Sequence, residues 1–292
     1  VNARNGRMKP IGKYGPVTCA FWAPEGKAIS IAEPAGSSEA VSLAMVNLLN
    51  GKRREVLSRA LPMHRWLPGG RILAFTINQR AQAEDAYYGE LILRNVATDD
   101  LQIIASAICE KKSSLDVSPD GKSVLLVEWT PKPGFKLTRI EIASGDKKVL
   151  VDQGVLNAFW SPNGKKIALV KQHSDEEDGA GRVVQHGGHT TVHFEDWDES
   201  ARLVVADADG TNQKVVAEEV LTYTYCRAGG RPVYPAWADS RTLLYFEKTR
   251  TYGLDGTSMR LMSVGSDGSG RKCLQRMIDR SAAEAGGSGR RR

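Results

Sequence analysis

The sequence has no long apolar run and few cysteines. No stretch approaches the run of about 18 apolar residues that a membrane-spanning helix needs, and residues 1–10 contain no apolar segment of signal-peptide type. We therefore expect no transmembrane segment. The four cysteines (Cys19, Cys109, Cys226 and Cys273) are widely spaced and form no Cys-x-x-Cys motif, which argues against a thiolate zinc site or a redox centre. Buried free thiols are the simpler interpretation, and disulfide pairing stays open.

Positive charge is concentrated at the two ends of the chain. Residues 1–14 carry four basic and no acidic residues, and residues 271–292 carry seven basic and two acidic residues. Because the whole chain has a formal charge of +6, the residues between have a net charge of −3. A nucleic-acid-binding protein would instead place positive charge along one folded surface. We expect no nucleic-acid partner, a basic N-terminal segment at 1–14 and a disordered Gly/Arg-rich tail at 279–292.

One short pattern recurs five times along the chain: apolar residues, a tight turn and a second apolar run. Four of the turns contain Pro and end in Gly, because Pro presets φ at the first corner and Gly allows the positive φ that a tight strand reversal needs. Each copy therefore predicts a β-hairpin. In the fifth copy Arg241 takes the place of the glycine, so we expect that turn to differ. The copies are centred on Trp22, Trp66, Val117, Trp160 and Trp237.

The spacing of the copies predicts the architecture. Successive centres are 44, 51, 43 and 77 residues apart, and a propeller blade of four short strands takes about 40–50 residues. A second strand pair follows most hairpins, for example Arg202–Ala206 with Lys214–Ala217. We therefore predict an all-β fold, a β-propeller of five recognisable four-stranded blades over residues 15–278, or an incomplete six-bladed ring. The long last interval predicts an insertion at 173–200.

Residues at equivalent places in the repeat are expected to pack between blades. This interpretation applies to Cys19 and to the four repeat tryptophans, Trp22, Trp66, Trp160 and Trp237. His64 lies alone beside the second hairpin, and we expect it to have a structural role.

Two segments resemble the WD-like repeats of the TolB-type propeller. They are Trp160-Ser-Pro-Asn-Gly-Lys-Lys-Ile-Ala and Val205-Ala-Asp-Ala-Asp-Gly-Thr-Asn, and the resemblance extends over roughly residues 15–275. TolB propellers typically have six blades, whereas five copies are recognisable here. The resemblance implies an extracytoplasmic, often periplasmic, location and a role in protein assembly. Similar repeats occur in the propellers of prolyl-oligopeptidase-like enzymes and oligogalacturonate lyases.

The insertion at 173–200 is acidic and rich in histidine. It holds four of the five histidines, and eight acidic residues against the single base Arg182. His186, His189, His193 and Asp196 are side chains of the kind that bind zinc, manganese or iron. If residues 189–196 are extended, His189 and His193 lie on the same side of the strand. The segment therefore predicts a divalent-metal site, with a solvated loop as the alternative.

The same segment is a candidate for partner recognition. Long loops on rigid scaffolds often carry function. Aromatic rings among acidic side chains suit a binding lip for a basic partner. The residues assigned to this lip are His173, Phe194, Glu195, Trp197 and Asp198.

Little in the sequence favours catalysis. No Gly-x-Ser-x-Gly motif occurs, so the chain lacks the nucleophile elbow of an α/β-hydrolase.

We predict a non-enzymatic propeller without a cofactor other than the metal above, acting as a protein- or peptide-binding scaffold, as a monomer or as part of a larger complex. The alternatives are a metal-dependent enzyme that resembles oligogalacturonate lyase and uses the histidine-rich insertion, or the propeller domain of a prolyl-oligopeptidase-like peptidase.

Overall fold

The structure is a computed structural model that describes residues 17–35, 40–80, 86–110, 113–130, 134–172, 183–186, 189–192, 200–221, 223–224, 231–232, 234–249 and 258–274. Regular structure in these ranges is entirely β. No helix there is long and apolar enough to cross a membrane. The chain divides into two compact units, Val1–Gln153 and Gly154–Arg292.

In the described part of the first unit, eleven strands form two antiparallel sheets, one of β1 to β7 in sequence order and one ordered β11-β10-β9-β8. They are β1 (Cys19–Trp22), β2 (Ala28–Pro34), β3 (Val41–Asn47), β4 (Arg53–Leu67), β5 (Arg71–Arg80), β6 (Ala86–Asn95), β7 (Leu101–Glu110), β8 (Leu115–Val117), β9 (Ser123–Thr130), β10 (Gly134–Glu141) and β11 (Lys147–Val151). The first part of β4 pairs with β3 and the second part pairs with β5, with a register shift between Ala60 and His64. Three successive sets of four antiparallel strands result.

The described part of the second unit repeats this organisation around one large sheet of order β12-β13-β16-β17-β21-β22-β23, with β20 pairing β21. The strands are β12 (Val155–Trp160), β13 (Lys166–Gln172), β14 (Val183–His186), β15 (His189–Val192), β16 (Ser200–Asp207), β17 (Lys214–Leu221), β18 (Tyr223–Thr224), β19 (Arg231–Pro232), β20 (Ala236–Trp237), β21 (Thr242–Thr249), β22 (Ser258–Gly265) and β23 (Lys272–Cys273). β17 meets β21 through the pair Val220 and Glu247, which separates two further sets of four strands. Two short ribbons, β14–β15 and β18–β19, form separate two-stranded sheets.

The middle set of strands in the first unit, from the second part of β4 to β7, is buried on both faces. On β5, Ile72 and Ala74 pack with apolar residues of β2 and β3, whereas Leu73 and Phe75 pack with apolar residues of β9 and β10. Successive residues of a strand point to opposite faces of the sheet, so one set of four strands covers each face. This stacking of sheets is the arrangement that the repeat predicts. In the second unit, residues of β16 and β17 pack on β21 and β22 in the same way.

The hairpin turns have the backbone geometry that their residues predict. Gly26, Gly70, Gly121 and Gly164 all have φ between 66° and 69°, where a Cβ would be strained. The fifth turn, between Trp237 and Leu243, has the length of the second, between Trp66 and Ile72. Arg241 takes the place of a glycine there and is not among the described residues with positive φ. The expected difference of the fifth turn is confirmed.

The expectation that every repeat tryptophan packs in the core is wrong for Trp22, which is 66% exposed. Trp66 and Trp237 are partly buried because each reaches back to the preceding set of strands. Trp66 donates a hydrogen bond from Nε1 to Ser30 Oγ on β2, and Trp237 donates one to the carbonyl of Phe159 on β12. Trp22 lies on the first strand of its unit, so no earlier strand of that unit covers it. Trp160 is buried.

Candidate functional site

Three neighbouring strands of the first unit carry a row of contacting side chains, Phe21 on β1, Arg65 on β4 and Asp116 on β8. The Arg65 guanidinium carbon lies 4.7 Å from the centre of the Phe21 ring, and Arg65 Nε lies 3.4 Å from Asp116 Oδ1. We call these residues the first-strand row, because each belongs to the first strand of its set. Each directly precedes the central residue of its repeat copy, which is the sequence signal that would have found the row.

The row holds the Arg65 guanidinium in a fixed position. Besides Phe21 and Asp116, Arg65 has a third anchor, because its Nη1 donates a hydrogen bond of 3.0 Å to the backbone carbonyl of His64. The side chain is 34% exposed. An anchored guanidinium presents planar donors that bind carboxylates bidentately and stack on aromatic rings. The row can therefore recognise a carboxylate or an aromatic group of a partner.

A buried polar network lies beside the row. Ser30 Oγ lies 2.6 Å from His64 Nε2, and Trp66 Nε1 donates a hydrogen bond of 2.9 Å to the same oxygen. Cys19 Sγ lies 3.9 Å from His64 Nδ1, and the Phe21 ring meets the imidazole edge-on at 4.8 Å. The expectation that His64 is structural agrees with this burial, but the residue is not alone. It joins β1, β2 and β4.

Burial decides the protonation of this network. It lowers the pKa of His64 to about 4, with the nearby positive charge of Arg65 acting in the same direction. The imidazole is therefore neutral at pH 7, and the Ser30 hydroxyl donates a hydrogen bond of 3.3 Å to the backbone carbonyl of Phe21. Burial likewise raises the pKa of the Cys19 thiol to about 11, against the opposing effect of Arg65. Since Ser30 and His64 are both fully buried, a substrate has no access to this serine–histidine pair.

The sequence-predicted metal site falls largely outside the described residues. The backbone pairs β14 with β15 and places His186 directly opposite His189. His193 and Asp196 lie outside the described residues, as do the predicted partner-binding residues His173, Phe194, Glu195, Trp197 and Asp198. In the described ranges, no three histidine, cysteine or acidic residues come together as a metal site.

Three of the four cysteines are free thiols in the structure. Cys109 is buried, and Cys19 and Cys273 are partly buried. Burial raises the pKa of Cys109, and the neighbouring Glu128 carboxylate adds to that effect. The fourth, Cys226, lies outside the described residues. The interpretation as buried free thiols is confirmed for Cys109.

The solved structures that the chain is similar to include a β-propeller domain. The chain is similar to a putative TolB from Agrobacterium tumefaciens, with a TM-score of 0.57 and 15% identity over 93% of this chain and 85% of that one. It is also similar to the β-propeller domain of the Trilobed protease from Pyrococcus furiosus, with a TM-score of 0.54 and 15% identity over 90% of this chain and 71% of that one. A third similar structure is a puromycin-hydrolysing peptidase from Mycobacterium tuberculosis, with a TM-score of 0.54 and 13% identity over 88% of this chain and 37% of that one.

These similarities define the class of protein. The chain is an all-β protein with a β-propeller fold, and the fold is of the TolB type. No protein-family model and no curated protein matches the sequence. The predicted fold class is confirmed, and the number of blades stays a prediction.

Proposed function

We propose that this chain is a non-catalytic β-propeller that binds a protein or peptide partner through the first-strand row. The observation that carries the proposal is the Arg65 guanidinium, which is stacked on Phe21, paired with Asp116 and still one-third exposed. Arginine and aromatic side chains dominate the energetics of protein interfaces. A guanidinium that is already held in place loses little conformational entropy on binding, which favours affinity.

The buried serine–histidine pair supports a binding role over catalysis. Catalysis by a nucleophilic serine needs an adjacent base and access for the substrate. Ser30 and His64 meet the first condition at 2.6 Å and fail the second, because neither is exposed. Their hydrogen bonds join β2 to β4 and support the strand that presents Arg65.

Peptide selection tests the proposal. Peptides are selected from a random display library on the immobilised chain, synthesised, and measured by fluorescence anisotropy against the wild type, Arg65→Ala and Phe21→Ala. We expect Arg65→Ala to weaken binding by about tenfold or more, as for a central interface arginine. Arg53→Ala is the matched control, since Arg53 is also on β4 and pairs with Glu33 away from the row. It should leave the affinity unchanged.

Two results would contradict the proposal. Failure to enrich any binding peptide would remove the binding role. Peptides that bind wild type and Arg65→Ala equally would place the interface elsewhere on the chain. Far-ultraviolet circular dichroism of each variant checks that a loss of affinity does not come from a loss of fold.

A divalent-metal site on the β14–β15 ribbon is a second candidate. The backbone register that pairs His186 with His189 favours it, because imidazole is a common ligand of divalent metals. Titration of the metal-free chain with zinc or nickel, with His186→Ala and His189→Ala alongside, tests it. If both variants bind the metal as tightly as the wild type, His186 and His189 are not its ligands.

The proposed setting of the protein follows from its resemblance to TolB. We propose an extracytoplasmic, periplasmic location, with the chain acting as a monomer or as one part of a larger complex. Fractionation of the native host with an antibody against the chain tests the location. Recovery with the cytoplasmic fraction would contradict it.

A further inference from the structure

Three turns of the second unit border an open cleft that the proposed function does not use. One turn joins β12 to β13, one joins β20 to β21, and one joins β22 to β23, and the cleft between them has a volume of about 530 Å³. Pockets of about 300–1,000 Å³ are typical of sites for small molecules. We call this space the turn cleft. It belongs to the second unit, whereas the first-strand row belongs to the first.

Basic side chains line the turn cleft. Lys165 and Lys166 come from the first turn and Arg241 from the second, and Asp267 is the single acidic residue of the lining. Lys165 and Arg241 are exposed. Neither of these two side chains forms an ion pair within the described part of the chain, whereas Lys166 pairs with Asp207 at 3.4 Å. Two unpaired positive charges therefore face the same space.

The acidic residues near the cleft are already engaged. Asp267 accepts hydrogen bonds of 2.9 Å and 2.6 Å from the amide and hydroxyl of Ser269 in its own turn, and these bonds hold its pKa below 3.8. Asp207 accepts a hydrogen bond from Asn212, besides its pairing with Lys166. Neither carboxylate pairs with Lys165 or Arg241. Asp239, in the same turn as Arg241, accepts hydrogen bonds from the backbone amides of Arg241 and Thr242, and the Arg241 charge helps to hold the pKa of Asp239 below its ordinary value. Asp239 and Arg241 form no side-chain ion pair among the described residues.

The remaining lining offers hydrogen-bond donors. Ser240 and Ser266 line the cleft from two different turns and each carries a hydroxyl, and the backbone amide of Ser266 is fixed by its bond to the Arg241 carbonyl. That bond joins the second turn to the third. Hydroxyl donors beside lysine and arginine form the usual surroundings of a bound phosphate.

We propose that the turn cleft binds the phosphate group of a small phosphate monoester. A phosphate monoester carries close to two negative charges at pH 7 and three strong acceptor oxygens, which match the two unpaired bases and the hydroxyl donors. Lys165 and Arg241 are the residues that attract the anion, and Ser240 and Ser266 are the donors that orient it. A carboxylate offers one charge and two oxygens, and is the weaker match.

The site is not a phosphate-binding loop of the nucleotide-binding kind. The turn from Gly265 to Gly270 is rich in glycine, but it joins β22 to another strand, β23, rather than to a helix. The anion is instead held by side chains from separate turns. Arg241 and Lys165 are 76 positions apart in the chain, so no local motif marks the site.

Calorimetric titration with phenyl phosphate at constant ionic strength tests the proposal. We expect saturable binding at one site, weakened about tenfold in Lys165→Ala and again in Arg241→Ala, because each removes one charge-assisted hydrogen bond. Lys122→Ala is the matched control, since Lys122 follows Gly121 as Lys165 follows Gly164, is also exposed, and lies in the first unit. It should bind phenyl phosphate like the wild type.

Three outcomes would overturn the phosphate site. They are the absence of saturable binding, an equal loss of affinity in Lys122→Ala, and binding of benzoate as tightly as phenyl phosphate. The substituted side chains are exposed, so the urea midpoints of the variants should match that of the wild type, and a variant with a lowered midpoint is replaced by Lys165→Gln or Arg241→Gln. Because the first-strand row lies in the other unit, this test and the peptide test fail independently.

Discussion

Ser30 Oγ lies 2.6 Å from Nε2 of His64, and both side chains are completely buried. Trp66 Nε1 donates a hydrogen bond to the same serine oxygen. Three polar groups from β2 and β4 therefore satisfy one another in the interior, where a missing partner is costly. The pair links the first set of strands to the second, and His64 directly precedes Arg65 in β4.

Replacing Ser30 should destabilise the protein. Ser30→Ala leaves Trp66 Nε1 and His64 Nε2 without their partner in a buried place, and we expect the free energy of unfolding in urea to fall by about 2–3 kcal/mol. Ser42→Ala is the control, because the partly buried Ser42 of β3 donates a solvent-exposed hydrogen bond to Glu55, and a loss of no more than about 0.5 kcal/mol is expected there. Similar losses in both variants would contradict a buried network.

Stability should depend on pH through His64. The pKa of His64 is about 4 in the folded protein and 6.5 in an unfolded chain, so between these values the unfolded chain takes up a proton that the folded protein does not. The free energy of unfolding therefore falls as the pH is lowered from 6.5 to 4, by about 3 kcal/mol for this residue. Urea denaturation of the wild type and His64→Gln at several pH values measures it.

The pH window distinguishes the histidine from the carboxylates. Hydrogen bonds hold the pKa values of Asp120, Asp207, Asp239 and Asp267 below 3.8, so their stabilising contributions are lost only as the pH falls below that value. His64→Gln should be less sensitive than the wild type between pH 6.5 and 4, and equally sensitive below. An unchanged slope in the upper window would show that folding does not lower the pKa of His64.

The buried thiols should resist alkylation. Burial raises the pKa of Cys19 to about 11 and that of Cys109 further, and only the thiolate reacts. With iodoacetamide at pH 8 we expect both to stay unmodified in the folded protein, as measured by peptide mass spectrometry. In urea all four cysteines should be labelled. Rapid labelling of Cys109 without urea would contradict its burial.

Two glycines with similar backbone angles should respond differently to substitution. Gly26 has φ +66° with open space around a Cβ, whereas a Cβ on Gly145, at φ +77°, would lie 2.5 Å from the carbonyl oxygen of Ile104. Both changes to alanine incur the strain of positive φ, about 1 kcal/mol. Gly145→Ala also forces β7 and the β10–β11 turn apart, so we expect at least about 1 kcal/mol more loss. Thermal denaturation of the two variants compares them, and equal losses would contradict the close approach.

The sequence predicts the repeating hairpins well and the first set of strands poorly. The turns at Gly26, Gly70, Gly121 and Gly164 have the positive φ that their sequence requires. The pairing of β3 with β4 has no comparable signal, because β4 continues without a break from one set into the next. A strand shared by two sets carries no turn residues at the boundary, so composition does not mark it.

The candidate sites were harder to predict than the fold. Phe21, Arg65 and Asp116 hold the same place in three repeat copies, yet nothing local shows that they touch. In the 173–200 segment the only sequence signal is the composition, which is rich in histidine and acidic residues. Most of these residues lie outside the described ranges. The roles of His186, His189 and their neighbours therefore stay predictions.

The sequence by itself determined the hairpins and their period, because proline and glycine restrict the backbone within a few residues and alternation sets the two faces of each strand. Only the tertiary structure decided that Trp22 is exposed while Trp160 is buried, that Arg65 lies over Phe21, and that Lys165 and Arg241 line one cleft. Those facts depend on which distant strands and turns become neighbours when the sheets stack, and no short stretch of sequence contains that information.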